Sequence, residues 1–383
     1  MDALVVGCGL SGSVIARELA EAGKKVVIWE RRDHIGGNMY DYIDDHGILV
    51  HKYGPHAFHT SNIKIINYVR RYAEWQDFHL ICGAQIDGIY TPTPFNFKTI
   101  DDFYAPEEAA ELKRRITVVF SGRSSAAVVE VLECADPMVR SYAEFLFEKD
   151  YSLYTAKQWG ISPNDIDPSI LKRVPLRFSY DEGYFDDEFQ VMPKVSFTHF
   201  FKNLLDHPNI SVELGVDALN HLQVNAEGNQ LLLGGIPVEF PVIYTGALDE
   251  LFGIKEGPLP YRSLHFEWKY KEKGSIQPYP VVAYPQAEGY TRIVDFKHFS
   301  GQDIEGSSYE VEYPLSYDPF GDTEPYYPVL TQNSQEQYKR YAAMANQLKH
   351  LHICGRLADF KYYNMDQALE RALNISEVIL STY

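Results

Sequence analysis

A glycine-rich turn close to the start of the chain constrains the fold more than any other feature. The turn, residues 7–12 with the sequence GCGLSG, directly follows the short apolar run Ala3–Val6. Apolar residues then recur at helical spacing, and a second strand-like run, residues 25–29, leads into Glu30. The order strand, GxGxxG, helix, strand and acid is typical of a dinucleotide-binding βαβ unit. We therefore expect an α/β protein whose first domain is Rossmann-like.

Each glycine of this turn has a separate predicted role. Gly7 allows the tight turn, Gly9 lets the backbone approach a pyrophosphate, and Gly12 lets the helix pack closely on the strand. The helix that starts here offers unpaired N–H groups to the phosphates. Glu30 can accept hydrogen bonds from a ribose. A turn that only connected strand and helix would leave the acid at the end of the second strand unexplained.

Two further segments favour FAD over NAD. A glycine pair, Gly36 and Gly37, follows the ribose acid and resembles the extension found in FAD-dependent enzymes of the glutathione-reductase-like and amine-oxidase-like group. Near the other end of the chain, a strand at 351–354 is predicted to stop at Gly355, and a helix at 364–373 follows. We expect this helix to return to the first domain, where its N-terminus favours negative charge on a reduced flavin.

The middle of the chain predicts two other kinds of structure. Residues 99–160 are mainly helical in pattern, whereas short alternating segments between 219 and 318, among them 238–245, predict an antiparallel sheet. The predicted fold class is α/β, with a Rossmann-like FAD-binding domain, a helical insert domain and an antiparallel β-sheet domain. The predicted domains are 1–80 with 189–218 and 335–383 for FAD, 81–188 for the helical domain with a uridine-binding motif and a mobile loop, and 219–334 for the substrate-binding sheet.

Charge and cysteine usage exclude several functions. The chain has 383 residues and a formal net charge of −18, and so acidic a protein does not bind nucleic acid or anionic membranes through a general positive field. No apolar run of about 18 residues and no signal-like start is present, so we expect a cytoplasmic protein without a membrane partner. The four cysteines form no CxxC and predict reduced, mostly buried thiols and no metal site.

Short motifs along the chain carry a family resemblance. They are YGPHAFHT at 53–60, TPFN at 93–96, YTAKQWG at 154–160, KRVPLRF at 172–178, DEGYF at 181–185, YRSL at 261–264, YTRI at 290–293, EPYYP at 324–328, GRLA at 355–358 and YYNMD at 362–366. From end to end, the chain resembles the bacterial UDP-galactopyranose mutases.

The resemblance implies an isomerase that interconverts UDP-galactopyranose and UDP-galactofuranose without net redox change. In that family N5 of reduced FAD attacks the anomeric carbon, so no side chain needs to be the nucleophile. A homodimer, an external reductant such as NAD(P)H and a supply of galactofuranose for cell-surface polysaccharide are implied as well.

Site residues follow from the same resemblance, and a diphosphate and a planar base do require arginines and aromatic rings. Catalytic roles are expected for Arg173, Arg292 and His56. Substrate binding is expected for Tyr154, which would stack on the uracil, and for Thr155, Trp159, Arg173, Tyr184, Arg262, Arg292, Tyr326, Tyr362 and Asn364. Cofactor binding is expected for Gly7, Gly9, Leu10, Ser11, Gly12, Glu30, Arg31, Gly37, Asn38, His56, His59, Arg356, Tyr362 and Met365. Asn364 stands where many bacterial members have Asp, so it keeps the hydrogen bonding but not the charge.

Two other classes of protein share part of this pattern. A flavin oxidoreductase, such as an amine oxidase or a desaturase, would have the same first motif and late helix, but an apolar substrate tunnel and no set of arginines. A binding protein for UDP-sugars that has lost catalysis would keep Trp159 and the arginines but would bind or reduce FAD poorly.

Overall fold

The computed structural model describes residues 1–159 and 175–383. Its strands in chain order are β1 (Ala3–Val6), β2 (Val26–Glu30), β3 (Asp41–Ile43), β4 (Leu49–His51), β5 (Phe58–Thr60), β6 (Trp75–Asp77), β7 (Cys82–Ile86), β8 (Ile89–Thr93), β9 (Ser125–Ala127), β10 (Pro175–Arg177), β11 (Phe189–Pro193), β12 (Ile210–Leu214), β13 (Leu222–Val224), β14 (Leu231–Leu233), β15 (Ile236–Pro237), β16 (Val242–Tyr244), β17 (Tyr261–Lys271), β18 (Val281–Ala283), β19 (Arg292–Asp295), β20 (Ser307–Ser316), β21 (Tyr327–Pro328) and β22 (Leu351–Ile353).

The helices lie between these strands and at the end of the chain. They are α1 (Leu10–Glu21), α2 (Ile63–Val69), α3 (Phe97–Phe103), α4 (Pro106–Val119), α5 (Val128–Leu132), α6 (Pro137–Leu146), α7 (Ser152–Trp159), α8 (Phe197–Leu205), α9 (Leu248–Leu251), α10 (Lys297–Ser300), α11 (Gln332–Ala345) and α12 (Met365–Thr382). A π-helical turn, Phe147–Tyr151, joins α6 to α7. None of the helices described is both long and apolar enough to cross a membrane.

A parallel sheet of five strands, in the order β12-β2-β1-β16-β22, carries the predicted dinucleotide-binding unit. Helix α1 starts within the glycine turn, at Leu10, and packs against α8 and α12. The α/β class and the return of the chain end to the first domain are thereby confirmed. The four cysteines are all buried and unpaired, as the sequence predicts.

The prediction of an antiparallel strand within residues 238–245 is wrong. Strand β16 lies inside the parallel sheet, where Leu4 of β1 pairs with Val242, and Val242 also pairs with Leu351 of β22. All three residues of β16 are buried, because helices and loops cover both faces of a parallel sheet. A short apolar run of this kind does not reveal from the sequence alone which sheet it joins.

A second sheet has seven strands in the order β21-β17-β20-β19-β18-β7-β8. Its longest pairing is between β17 and β20, which run antiparallel from Arg262 opposite Ser316 to Lys271 opposite Ser307. Strands β7 and β8 belong to residues 81–188, so that range contributes two strands to this sheet besides helices α3 to α7. The sheet is mixed, because β18 pairs with β7 in parallel. The three-domain division itself stays a prediction.

A buried carboxylate in β3, that of Asp41, binds the start of helix α8. Asp41, only 2% exposed, accepts hydrogen bonds from the backbone N–H groups of Phe197 at 2.6 Å and Thr198 at 2.7 Å. These N–H groups belong to the first turn of α8 and have no partner within the helix. Ser196 caps the same helix, its Oγ accepting from the N–H of His199 at 2.9 Å. The start of α8 thus depends on a residue more than 150 positions earlier in the chain.

We expect Asp41→Asn to lower the free energy of unfolding by about 1–3 kcal/mol, because an amide NH₂ would face an N–H donor in a buried place. The midpoint of urea unfolding measures the change. Asp45→Asn is the matched control, since Asp45 lies in the same hairpin and is exposed. Equal midpoints for the two variants would show that Asp41 does not hold α8.

Candidate functional site

Glycines hold β1 and α1 closer together than any side chain would allow. Gly7 has a φ of +100°, and a Cβ on it would lie 2.1 Å from Thr245 Oγ1. A Cβ on Gly12 would lie 2.0 Å from the carbonyl oxygen of Gly7. Gly9 differs, since the nearest atom to a Cβ there would be Gly37 Cα at 3.7 Å. Gly9 therefore borders open space, where a bound group can approach the backbone.

That open space is a cavity of about 240 Å³ at the carboxyl ends of the parallel strands, called here the dinucleotide cavity. The predicted residues that line it are Gly7, Gly9, Leu10, Ser11, Gly12, Glu30, Arg31, Gly37, Asn38, His56, Arg356, Asn364 and Met365. Sequence reasoning missed other lining residues, among them Arg32, Thr245 and Tyr363. Such a position, outside the carboxyl ends of an open α/β sheet, is where ligands bind in these folds.

Glu30 fixes the turn around this cavity. Its carboxylate is 6% exposed and accepts two backbone hydrogen bonds, from the N–H of Cys8 at 2.7 Å and from the N–H of Arg32 at 2.9 Å. One bond reaches the glycine turn and the other reaches the segment after β2. The acid at the end of the second strand therefore shapes the cavity besides lining it.

The start of the last helix, α12, forms a further wall of the dinucleotide cavity, in addition to the glycine turn. Asn364, immediately before α12, donates its backbone N–H to Gln367 Oε1 at 3.0 Å. Asn364, Met365 and Ala368 line the dinucleotide cavity. The N-terminal end of a helix carries partial positive charge, so this wall favours negative charge on a bound group.

His56 is a neutral acceptor at the same cavity. Burial lowers the pKa of His56 to about 3, so the ring is uncharged at physiological pH. Its Nδ1 donates to the carbonyl oxygen of Gly54 at 2.8 Å, which leaves Nε2 without a proton. The backbone N–H of His56 donates to Nδ1 of the buried His51 at 3.0 Å, so the loop holds the ring in place.

His59, predicted to contact the cofactor, lies elsewhere. Its Nδ1 is 2.6 Å from Asp187 Oδ2, and its ring stacks on Phe185 with centroids 3.6 Å apart. Strand β5 explains this placement, because neighbouring side chains of a strand point to opposite faces and Phe58 occupies the core side. Among the described residues, His59 does not line the dinucleotide cavity.

A second cavity, of about 130 Å³, contains an arginine–glutamate pair. Arg292 Nε and Nη2 both lie 2.7 Å from Glu312 Oε2, across the pairing of β19 with β20. The Glu312 side chain is only 3% exposed, whereas that of Arg292 is 24% exposed. The glutamate holds the guanidinium in one orientation, and the remaining N–H groups of Arg292 are donors suited to an anion.

Aromatic rings and a second arginine, Arg262, complete this second cavity, called here the arginine cavity. Arg262 donates to the hydroxyl of Tyr362, whose ring stacks on Tyr327 with centroids 5.5 Å apart. The guanidinium of Arg356 lies 4.7 Å from the centroid of the same Tyr327 ring. Gln158 of α7 also lines the cavity, and its Oε1 accepts from Arg262 Nη1 at 3.4 Å.

Other predicted substrate residues do not line the arginine cavity in the described part of the chain. Tyr154 lies one turn before Gln158 and its hydroxyl accepts from Gln158 Nε2 at 2.9 Å. Tyr326 is buried against Tyr53 and Phe266. Thr155 and Tyr184 are likewise absent from the lining.

Two predicted residues cannot be placed. Arg173 lies outside the described residues, and so does the side chain of Trp159, although its backbone ends α7.

Sequence reasoning missed Glu312 and Tyr327. Glu310 and Glu312 lie two positions apart in β20, so they share a face of the strand, and both are buried. Two acids at this spacing indicate that a cation is buried beside them. Tyr327 follows Tyr326 directly, and only the strand geometry shows which of the two rings reaches the cavity.

The two cavities adjoin. Arg356 lines the dinucleotide cavity, while the Tyr327 ring against which it lies belongs to the arginine cavity. A Cβ on Gly54, next to the His56 loop, would lie 3.9 Å from Arg292 Nη2. A group bound by the arginines therefore lies beside the end of the dinucleotide cavity that His56 and α12 enclose.

The fold and the two cavities define a dinucleotide-binding protein of the flavoenzyme type with a cationic second site. Comparisons with known proteins narrow the class. Residues 5–72 match the model of the NAD(P)-binding Rossmann-like domain, and residues 149–362 match the model of UDP-galactopyranose mutase. The chain is 35% identical to a UDP-galactopyranose mutase of Mycoplasma pneumoniae, over 99% of this chain and 96% of that protein.

Two more similarities are informative. A dTDP-fucopyranose mutase of Escherichia coli is 34% identical over 98% of both chains. A crystal structure of reduced UDP-galactopyranose mutase shares the fold with a TM-score of 0.72 at 13% identity, over all of this chain and 96% of that one. The chain belongs to the UDP-galactopyranose mutase family and is an isomerase.

The residues present fit a flavin cofactor, which the fold and the family imply. Gly9 leaves room for a pyrophosphate, Glu30 stands at the ribose position, and the start of α12 offers N–H groups to the far end. The cavity follows the whole carboxyl edge between these points.

We expect Glu30→Gln to weaken flavin binding about tenfold, because one of the two backbone hydrogen bonds would face an NH₂ group at a cost of about 1.4 kcal/mol. The flavin absorbance per chain after dilution measures this loss. Glu74→Gln is the control, since Glu74 is 81% exposed and pairs only with Lys194 among the described residues. Full flavin occupancy in Glu30→Gln would contradict the role given to Glu30.

Proposed function

We propose that the protein interconverts UDP-galactopyranose and UDP-galactofuranose with FAD in its reduced form. The observation that carries this proposal is the arginine cavity, with Arg262 and Arg292 beside the rings of Tyr327 and Tyr362, next to the dinucleotide cavity. A sugar nucleotide needs both places, because its diphosphate binds arginines while the sugar must reach the cofactor.

Each side chain then has a physical task. Arg292, oriented by Glu312, binds the diphosphate and stabilises it as a leaving group. Arg262 and the Tyr362 hydroxyl bind the same diphosphate from the other side of the cavity. Arg173, on the predicted mobile loop, would add a third cation, and Tyr154 with Trp159 would hold the uracil.

Gly9, Glu30 and the start of α12 would hold reduced FAD, which when bound would supply a nucleophile, its N5 atom, for the anomeric carbon. His56 would support this chemistry as a hydrogen-bond acceptor, because its ring stays neutral and its Nε2 carries no proton. The start of α12 stabilises the negative charge of the reduced ring. Sugar ring opening and closure then need no net oxidation, and no external electron acceptor is consumed.

The flavin-oxidoreductase alternative is less well supported. It requires an apolar substrate tunnel, whereas the second cavity contains Arg262, Arg292 and Glu312. Pure binding without catalysis is disfavoured by a dinucleotide cavity with room for a cofactor beside those arginines.

A second substrate pair has specific support. The Escherichia coli relative that is named a dTDP-fucopyranose mutase matches this chain about as well as the UDP-galactopyranose mutases do. A thymidine nucleotide and a 6-deoxy sugar are therefore the second candidate. Assays with both sugar nucleotides, read by separation of the two ring forms, decide between them.

The remaining parts of the proposal rest on the resemblance to the family. We expect a homodimer in the cytoplasm, kept reduced by a donor such as NAD(P)H and supplying galactofuranose for cell-surface polysaccharide.

The redox state of the flavin provides the first test. Dithionite-reduced enzyme should convert UDP-galactofuranose to the pyranose over many turnovers with no consumption of donor, and air-oxidised enzyme should be almost inactive. Chromatography of the two sugar nucleotides and the flavin absorbance provide both readings. Equal rates in the two redox states would exclude reduced N5 as the nucleophile, and stoichiometric use of donor or oxygen would favour the oxidoreductase.

Arg292 provides the second test. Removal of one partner from a buried charge pair costs about 2–5 kcal/mol, so Arg292→Ala should lower kcat/KM at least about thirtyfold. Arg292→Lys should fall in between, because it keeps the charge but loses the planar fork. Flavin content should stay at the wild-type level in both. Arg123→Ala, which removes an exposed arginine paired with Glu130, is the control. Loss of flavin from Arg292→Ala would show that Arg292 belongs to the cofactor and not to the substrate.

A further inference from the structure

Lys157 is bonded in an unusual way for a lysine on a helix. Its Nζ donates to three backbone carbonyl oxygens, those of Tyr284 at 2.5 Å, Ala287 at 2.8 Å and Tyr290 at 2.8 Å. An ammonium group has three N–H bonds and a neutral amine has two, so this geometry requires the charged form. Burial lowers the pKa of Lys157 to about 8, which shows that holding the charge here is costly.

The three acceptors belong to one connection, residues 284–291, between β18 and β19. They stand at its start, its middle and its end. The N–H of Tyr284 also donates to the carbonyl oxygen of Thr291 at 2.8 Å, which closes the connection on itself. Arg292 is the next residue along the chain. The ammonium of Lys157 therefore fixes the backbone that delivers Arg292 to the arginine cavity.

The lysine itself comes from the helix that carries the predicted uracil-binding residues. In α7, Gln158 follows Lys157 directly and lines the arginine cavity, where it accepts from Arg262. Gln158 also donates to the Tyr154 hydroxyl. Lys157 thus connects the two sides of the arginine cavity. It belongs to α7 on the base side, and it binds residues 284–291, which lead to Arg292 on the diphosphate side.

A buried acid supports the ammonium. Asp150 lies seven residues before Lys157, in the π-helical turn that precedes α7, and is 7% exposed. Its Oδ1 is buried and has no hydrogen-bond partner among the described residues. Burial raises the pKa of Asp150 to about 7, and the ionised form of Asp150 favours the charged form of Lys157. π-helical turns within α-helices are frequent at functional sites.

We propose that Lys157 is a positioning residue for the sugar nucleotide: it sets the spacing between α7 and Arg292, so that one bound nucleotide contacts both. The inference rests on the proposed function, because it assumes a substrate that spans the base side and the diphosphate side. A lysine with a merely structural role would change stability and leave the affinity for nucleotide as it is.

The test compares Lys157→Met with wild type in three readings. We expect KM for UDP-galactofuranose and the Kd of UDP to rise about tenfold or more, the effect of losing several charge-assisted hydrogen bonds. Because substrate at saturation still reaches the cofactor, kcat should stay within about threefold. Flavin absorbance per chain should not change. Lys149→Met is the matched control, since Lys149 lies in the preceding turn and pairs with Asp87 at the surface.

Lys157→Gln guards against failure of the first variant to fold. Glutamine keeps two N–H donors but no charge, so it should raise KM and the Kd of UDP in the same direction and by less. Values within twofold of wild type in a folded Lys157 variant would overturn the inference. If wild-type protein bound no UDP and converted no sugar nucleotide, the proposed function would fail, and the inference with it. Conversion by wild type together with an unchanged KM in the variants would overturn the inference alone.

Discussion

The contact between α1 and β1 is the constraint on which the rest of the molecule depends. Gly12 presses against the Gly7 carbonyl oxygen at a distance that leaves no room for a Cβ. Because the helix starts so close to the strand, its first N–H groups open at the carboxyl edge of the parallel sheet, and Glu30 can reach back to the turn. A helix displaced outward by one methyl group would lose both arrangements. The dinucleotide cavity therefore depends on the absence of a side chain at both Gly7 and Gly12.

Under the proposed function, a protein of net charge −18 binds two diphosphates. Neither site relies on a general positive field. One uses the N-terminus of α1, and the other uses a few guanidinium groups inside an acidic molecule, with Glu312 orienting Arg292. Local donors of this kind act over hydrogen-bond distances, at which solvent and salt screen them little. The acidic exterior then discourages long polyanions while the cavities still accept small ones.

Much of the dinucleotide-binding part of the chain could be predicted, because its sequence signals involve residues that are close together in the sequence. The GxGxxG turn, the acid after the second strand and the late helix that begins near residue 364 each depend on neighbours within about 25 residues, and the structure has all three. The strand at Val242–Tyr244 could not be assigned to its sheet, since its partners β1 and β22 are remote in sequence. For the same reason the sequence does not show that Glu312 is the partner of Arg292, or that His59 lies against Asp187 and Phe185. Which face of a strand a side chain occupies is a tertiary property, as Tyr326 and Tyr327 show.

Under the proposed function the protein holds a reduced flavin, and its buried cysteines have a consequence for that state. Burial raises the pKa of Cys8, Cys82 and Cys354 to about 12, so these thiols carry almost no thiolate at neutral pH. Peroxides react with thiolates and hardly with thiols. Reduced flavins that meet oxygen release hydrogen peroxide, and Cys8 and Cys354 lie beside the cavity in which that would happen. The thiols beside the flavin site are thus in a form that peroxide attacks only slowly. A reaction of the flavin with oxygen should then cost the enzyme one pair of electrons and leave the buried cysteines intact.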